Sequence, residues 1–244
     1  MLKNTLFALI LLCFLFNLSV TVVAAPIHDA VQNKNIRLVY AIIEENNEEK
    51  ERKNEYGWTP LHIAAGLGDL DMIRLLLSLN VNVNAKANNG HTPLHKAAYG
   101  GFDKAAELLI ESRADITARS SNGSTPLHAA AYSGNKALIG LFIRKGANIN
   151  DKNSANQTPF HMAALAGKHK VLSLLKSLGG QIDVQDNKGR TPLYIAAEEG
   201  NGECVRVLLE LKANPGLKDK KGVSPKELVK KDPTLLKFFT VKQQ

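Results

Sequence analysis

Cysteine and aromatic residues are scarce in this chain: 244 residues hold 2 Cys, 1 Trp and 6% aromatics. Cys13 lies in a leading apolar stretch, so a chain trimmed of that stretch keeps Cys204 alone and closes no internal disulfide. Stability must then come from packing. Long apolar runs are equally scarce. Leu6 to Leu18 is nearly all apolar, and nothing comparable follows. The run is shorter than the roughly 20 residues that a spanning helix needs. Lys3 is the only charge in residues 1–24, and small residues follow at Val22, Ala24 and Ala25. This segment is predicted to be a secretory leader cleaved after Ala24, with an uncleaved membrane anchor as the alternative. Export to the periplasm or beyond the cell is the matching expectation.

The usual marks of catalysis are missing too. Gly66-Leu67-Gly68 lacks the third glycine and preceding strand of a dinucleotide loop, and the chain has no P-loop, nucleophile elbow or H-E-x-x-H pair. No nucleophile stands beside a base, so no enzyme activity and no cofactor are expected. Charge is lopsided rather than spread. The formal net charge is +8, and Lys212 to Gln244 alone has nine Lys against Asp219, Glu227 and Asp232. A nucleic-acid binder would distribute its basic excess over a docking face. Here the excess sits at one end, as a soluble cap would, and nucleic acid is not expected as a partner.

What the chain has in abundance is repetition. Thr-Pro-Leu-His occurs at Thr59–His62, Thr92–His95 and Thr125–His128, continues as Thr158-Pro-Phe-His161 and Thr191-Pro-Leu-Tyr194, and fades at Ser224-Pro-Lys-Glu227. Every step is 33 residues. A fixed period of this kind marks one supersecondary unit that is stable only when stacked on its neighbours. In each unit Thr caps a helix whose first residue is Pro. A glycine such as Gly68 ends that helix. Met72, Ile73, Leu76 and Leu77 then repeat at helical spacing. Gly57, Gly90, Gly123, Gly189 and Gly222 mark a turn before each motif. Asn156 takes the remaining place, and Asn is the residue that best tolerates positive φ there. Val81-Asn82-Val83-Asn84 reads as a short extended stretch leading to the next turn. Cys204 shares a column with Met72, Ala105, Leu138 and Val171, which makes it a core thiol.

The pattern G-x-T-P-L-H-x-A-A-x-x-G, an apolar helix and then Ala/Val-Asn/Asp-Ile/Val-Asn resembles the ankyrin-repeat family over nearly the whole chain after residue 25. The resemblance implies an all-α solenoid, a stack of helix–turn–helix units with β-hairpin fingers and a concave face that binds other proteins. The units expected are 58–90, 91–123, 124–156, 157–189 and 190–222. A degenerate opening unit covers 25–57, one residue out of register from Pro26, and a Lys-rich closing unit covers 223–244. In the closing unit Lys226, Lys230 and Lys231 replace buried or small residues, giving the wet outer face a terminal repeat needs. Ser224 and Glu227 have the spacing of a capping box.

His62, His95, His128 and His161 invite a metal reading that fails on distance. Stacked helices lie about 8–10 Å apart, whereas zinc holds His nitrogen at about 2.0–2.1 Å. His91 and His95 are four apart, but Pro93 separates them and no third ligand is suitably spaced, so no metal is expected. In the family this His bonds the motif Thr and a neighbouring unit. Positions that the family leaves exposed carry Tyr99 and Tyr132, while Trp58, His91 and Arg190 stand just before a motif Thr. With Tyr56, these rings are candidate partner contacts, since Tyr and Trp supply much interface energy; packing within their own fingers is the competing reading. A fingertip column of Lys53, Lys86, Arg119, Lys152, Gln185 and Lys218 offers a basic ladder to an acidic partner, or a solvated edge. Asn122-Gly-Ser124 and Asn156-Gln-Thr158 match the glycosylation pattern. The function expected is that of an exported, monomeric, non-enzymatic protein-binding module. A membrane-tethered scaffold and the regulatory subunit of a separate enzyme are the alternatives.

Overall fold

A computed structural model describes residues 26–230 and 232–240. The leader expected at residues 1–24, Lys231 and the end of the closing unit lie outside the described residues. The described chain alternates short helices. α1 (Ile27–Gln32) and α2 (Ile36–Glu45) open it, followed by a 3-10 turn at Asn47–Glu51. Five pairs in 33-residue register come next: α3 (Pro60–Leu67) with α4 (Leu70–Ser78), α5 (Pro93–Gly100) with α6 (Asp103–Glu111), α7 (Pro126–Ser133) with α8 (Lys136–Arg144), α9 (Pro159–Leu165) with α10 (His169–Ser177), and α11 (Pro192–Glu198) with α12 (Gly202–Glu210). α13 (Pro225–Leu228) and α14 (Pro233–Thr240) close the stack.

The first helices of successive pairs pack on one another from α1 through α13, and the second helices do so from α2 through α14. Alanine pairs make the first layer thin. Ala64, Ala65, Ala97, Ala98, Ala130, Ala131, Ala163 and Ala164 are fully buried. Between the layers sit Leu61, Leu94, Leu127, Phe160 and Leu193, each at most 1% exposed. Burying one such side chain contributes about 1.5–3 kcal/mol. Phe160 is the bulky member of its column, and space for it comes from Gly180. That position is Val81, Ala114, Ala147 or Ala213 in the other units. A Cβ at Gly180 would lie 2.6 Å from the Phe160 ring.

The turns before each motif adopt the expected left-handed backbone, including Asn156 at φ 58. Gly57 is needed for a second reason: a Cβ there would lie 2.6 Å from the Asn88 amide nitrogen of the next finger. In the opening unit, shifted by one residue, Lys34 takes the helix-ending position that glycine holds elsewhere, at φ 55. The closing unit keeps its cap, with the Ser224 N–H donating to Glu227 at 2.8 Å.

Two local expectations are corrected. No strand occurs among the described residues; each finger is a turn closed by two backbone bonds, as from the Ala87 N–H to the His91 carbonyl and from the Gly90 N–H to the Ala87 carbonyl, both at 2.9 Å. Its arms are too short for a ladder, because Pro93 begins the next helix two residues later. Pairing runs sideways instead, from the Asn88 N–H to the Tyr56 carbonyl and from the Ser121 N–H to the Asn89 carbonyl. Nor is the segment at Val81–Asn84 extended. Asn82 starts a tight turn in which the Ala85 N–H donates to its carbonyl at 3.1 Å.

Candidate interaction face

The motif histidines position the fingers. In the first four motifs the Thr N–H donates to the Nδ1 of the His three residues on, at 3.1–3.2 Å. The other nitrogen, Nε2, lies 2.9–3.2 Å from a carbonyl 29 residues further on, at His91, Ser124, Gln157 and Arg190 in turn. A ring nitrogen facing a carbonyl must carry the proton and one facing an N–H must be bare, so the tautomer is fixed. Each acceptor is the residue just before the next motif Thr, so every His pins the base of the following finger. Burial pulls His62, His95 and His161 down to about 4, and lowers His128 in the same direction. All four are therefore neutral at pH 7. The opening unit has its own version: His28 Nε2 sits 2.9 Å from the Arg52 carbonyl and 3.0 Å from that of Trp58.

The fifth motif differs. Tyr194 stands where His would be, and its hydroxyl donates to the Asp219 carboxylate at 3.1 Å. Burial first, then that hydrogen bond, pushes the phenol up to about 12. Beside it, Arg190 is spent on carboxylates. It pairs with the buried Asp186 at 2.9 Å and with Glu198 at 2.6 Å.

Three columns share the side of the stack that bears the finger bases: the residue before each motif Thr and those four and seven after it. They read Trp58, Ile63, Gly66; His91, Lys96, Tyr99; Ser124, Ala129, Tyr132; Gln157, Met162, Leu165; and Arg190, Ile195, Glu198. Tyr99 is 53% exposed and stacks on the half-buried Tyr132, with ring centroids 5.0 Å apart. The pair borders a groove of about 660 Å³ that Asn135 and Lys168 also line. A second groove of about 340 Å³ lies along Trp58, Ile63 and Lys96. Tyr56 is 56% exposed and leans on the Trp58 ring at 5.0 Å.

Lys96 was not among the residues singled out from sequence. Its ammonium lies 3.8 Å above the Trp58 ring, joining the base of one finger to the first helix of the next unit, α5. The available signal was its column, where Ile63, Ala129, Met162 and Ile195 are apolar. His91 is half-buried and stacks on His95 at 5.2 Å. Both His95 nitrogens are occupied, by Thr92 and by the Ser124 carbonyl.

The fingertip ladder is a set of ties between fingers. Lys53 Nζ donates to the Lys86 carbonyl at 2.9 Å, Arg119 to the Lys152 carbonyl at 3.0 Å, and Gln185 to the Lys218 carbonyl at 2.9 Å. Arg119 also meets Asp151 at 3.2 Å. Lys86 and Lys152 are exposed. Cys204 is buried, and burial raises its thiol to about 12. Of the two glycosylation matches, Asn122 is exposed, whereas Asn156 is on the tight turn with its amide on Asn187.

A family model described as "Ankyrin repeats (3 copies)" matches residues 27–120, 87–153 and 127–219. Protein phosphatase 1 regulatory subunit 27 of Homo sapiens and that of Mus musculus are each 36% identical to this chain over 66 residues. Each match spans 27% of this chain and 42% of the relative, less than half of its length. The solved ankyrin repeat domain of Bcl-3 superposes with a TM-score of 0.67, covering 88% of this chain and 97% of that one at 23% identity, a likeness of fold. The repeat register, the histidine joints and the family match together place this chain in the ankyrin-repeat family.

Proposed function

We propose that this chain is a protein-binding module whose partner lies along the face bordered by Trp58, Lys96, Tyr99 and Tyr132. Ankyrin repeats are generally non-catalytic units of protein–protein interaction, and the fold here is theirs. The observation that carries the assignment to this face is the exposed Tyr99 stacked on Tyr132 beside a 660 Å³ groove. Rings that are already stacked present a rigid apolar surface, which reduces the entropy lost on binding. Exposed Lys86 and Lys152 act on capture rate, and Arg190 acts by holding its own unit in shape. Export through residues 1–24, and the chain acting as a monomer, belong to the same proposal. N-terminal sequencing of the native protein decides between cleavage and tethering.

A captured partner tests the face. Trp58→Ala with Tyr99→Ala is expected to weaken binding by about 2 kcal/mol or more with the helical signal unchanged. Loss of helix without a specific loss of affinity would assign those rings to packing instead. A second reading, in which the chain is a regulatory subunit of a phosphatase, is favoured by the name of the 36% identical relative. It predicts co-purification with a phosphatase catalytic chain.

A further inference from the structure

The interaction face carries a charge asymmetry that points to the chemistry of its occupant. From Trp58 to Leu165 its three columns contain no carboxylate; the first to appear is Glu198, already held by Arg190, and Asp29 of the opening unit, which lines the Lys96 groove, forms no ion pair with that lysine. Lys96 stands in the middle of this stretch, half-buried over Trp58. Among the described residues, every ion pair uses an arginine, and Lys96 takes part in none. Partial burial of its ammonium disfavours the charged form and lowers its pKa. An anionic group brought alongside would offset that cost. Beyond Lys96 the face turns aromatic and then aliphatic, through Tyr99 and Tyr132 to Met162 and Leu165.

We infer that the face takes an extended acidic segment of another protein, with a carboxylate on Lys96 and an apolar side chain packed on Met162. The inference rests on the proposed function above. The spacing follows from the repeat. Lys96 and Met162 belong to units two apart, and stacked helices lie about 8–10 Å from one another, which gives about 16–20 Å. An extended chain rises about 3.3 Å per residue, so the carboxylate and the apolar anchor stand about five or six residues apart.

The test pans a phage-displayed library of random dodecapeptides against the full chain and measures the best synthetic peptide by fluorescence anisotropy. The expected yield is rich in Asp and Glu with an apolar residue five or six positions away. Lys96→Glu is expected to weaken that peptide at least about tenfold, with an unchanged circular dichroism spectrum, and to shift a second panning towards Lys and Arg. Neutral peptides that depend on Trp58 and Tyr99 but not on Lys96 would overturn the acidic segment and leave the binding face standing. Binding that survives Trp58→Ala with Tyr99→Ala would overturn both. Lys96-dependent binding of phosphatidylserine vesicles or single-stranded DNA, without any acidic peptide, would also overturn the inference.

Discussion

At His62, His95, His128 and His161 the joint to the next finger is a buried imidazole donating to a backbone carbonyl, whereas at Tyr194 a phenol donates to the Asp219 side chain. The two joints occupy the same place in the repeat and answer differently to acid. An imidazole whose pKa is depressed by burial binds its proton more tightly when the chain unfolds. Its contribution is therefore complete above the unfolded value near 6.5 and is lost as pH falls from there to about 4. Tyr194 is neutral throughout this range, and backbone N–H groups hold Asp219 below the ordinary carboxylate value. The last joint should outlast the others.

The largest expected effect follows from this. Each of His62, His95 and His161 should forfeit about 2 kcal/mol on going from pH 7.5 to pH 5, since each pKa unit is worth 1.36 kcal/mol. Together that is about 6 kcal/mol, comparable to the whole stability of a typical domain. Urea titrations across this range should show the midpoint falling steeply. Hydrogen exchange at pH 5 should find α5 and α7 opening before α11 and α12, because repeat arrays can unfold unit by unit. A midpoint that stays flat down to pH 5 would remove the basis of the comparison.

Single substitutions sharpen it. His128→Ala strips partners from the Thr125 N–H and the Gln157 carbonyl and should cost about 2–4 kcal/mol at pH 7.5. The same variant should lose less on acidification than the parent, since one proton-binding group has gone. Tyr194→Phe removes only a hydroxyl facing an Asp219 that water can still reach, and should cost about 1 kcal/mol with no change in acid sensitivity. Equal costs at the two joints would mean that the histidine bridge adds nothing beyond its packing.

The smallest effect compares the ends of second helices. Arg113 and Lys212 sit at φ 69 and 67, where Gly146 and Gly179 sit at 98 and 87. A Cβ added at Gly146 would meet nothing within 4 Å, so the backbone angle is the cost that remains. Gly146→Ala should destabilise by about 0.5–1 kcal/mol, and Arg113→Gly should stabilise by no more than that, given the freedom glycine adds to the unfolded chain. If Arg113→Gly lowers the urea midpoint instead, its side chain holds the helix end in a way the backbone angle does not reveal.

Much of this architecture could be read from the 33-residue period. Thr59-Pro60 announced a helix start, Gly68 its end, and Asn156 a left-handed turn, because each residue type tolerates a backbone geometry that others resist. Cys204 was placed in the core by its apolar column alone. The fingers were less legible. Alternating residues near Val81 suggested an extended arm, but the Asn82 carbonyl closes a turn on the Ala85 N–H, a competition that strand propensity does not capture. Trp58, Tyr99 and Tyr132 are legible because they fall in repeat columns that the family leaves exposed or that precede a motif Thr. Lys96 was passed over, since one cation among many in a sequence says nothing of the ring beneath it.

The sequence by itself determined the unit, its register and the buried histidine column, because these follow from local backbone preferences repeated at a fixed interval. Tertiary structure alone decided which charges remain available to a partner. Arg119 and Arg190 are consumed by Asp151, Asp186 and Glu198, while Lys96 is lifted over Trp58 and, among the described residues, joins no ion pair. Two residues 38 positions apart become neighbours only when units stack, and a charge is satisfied or left waiting according to those neighbours.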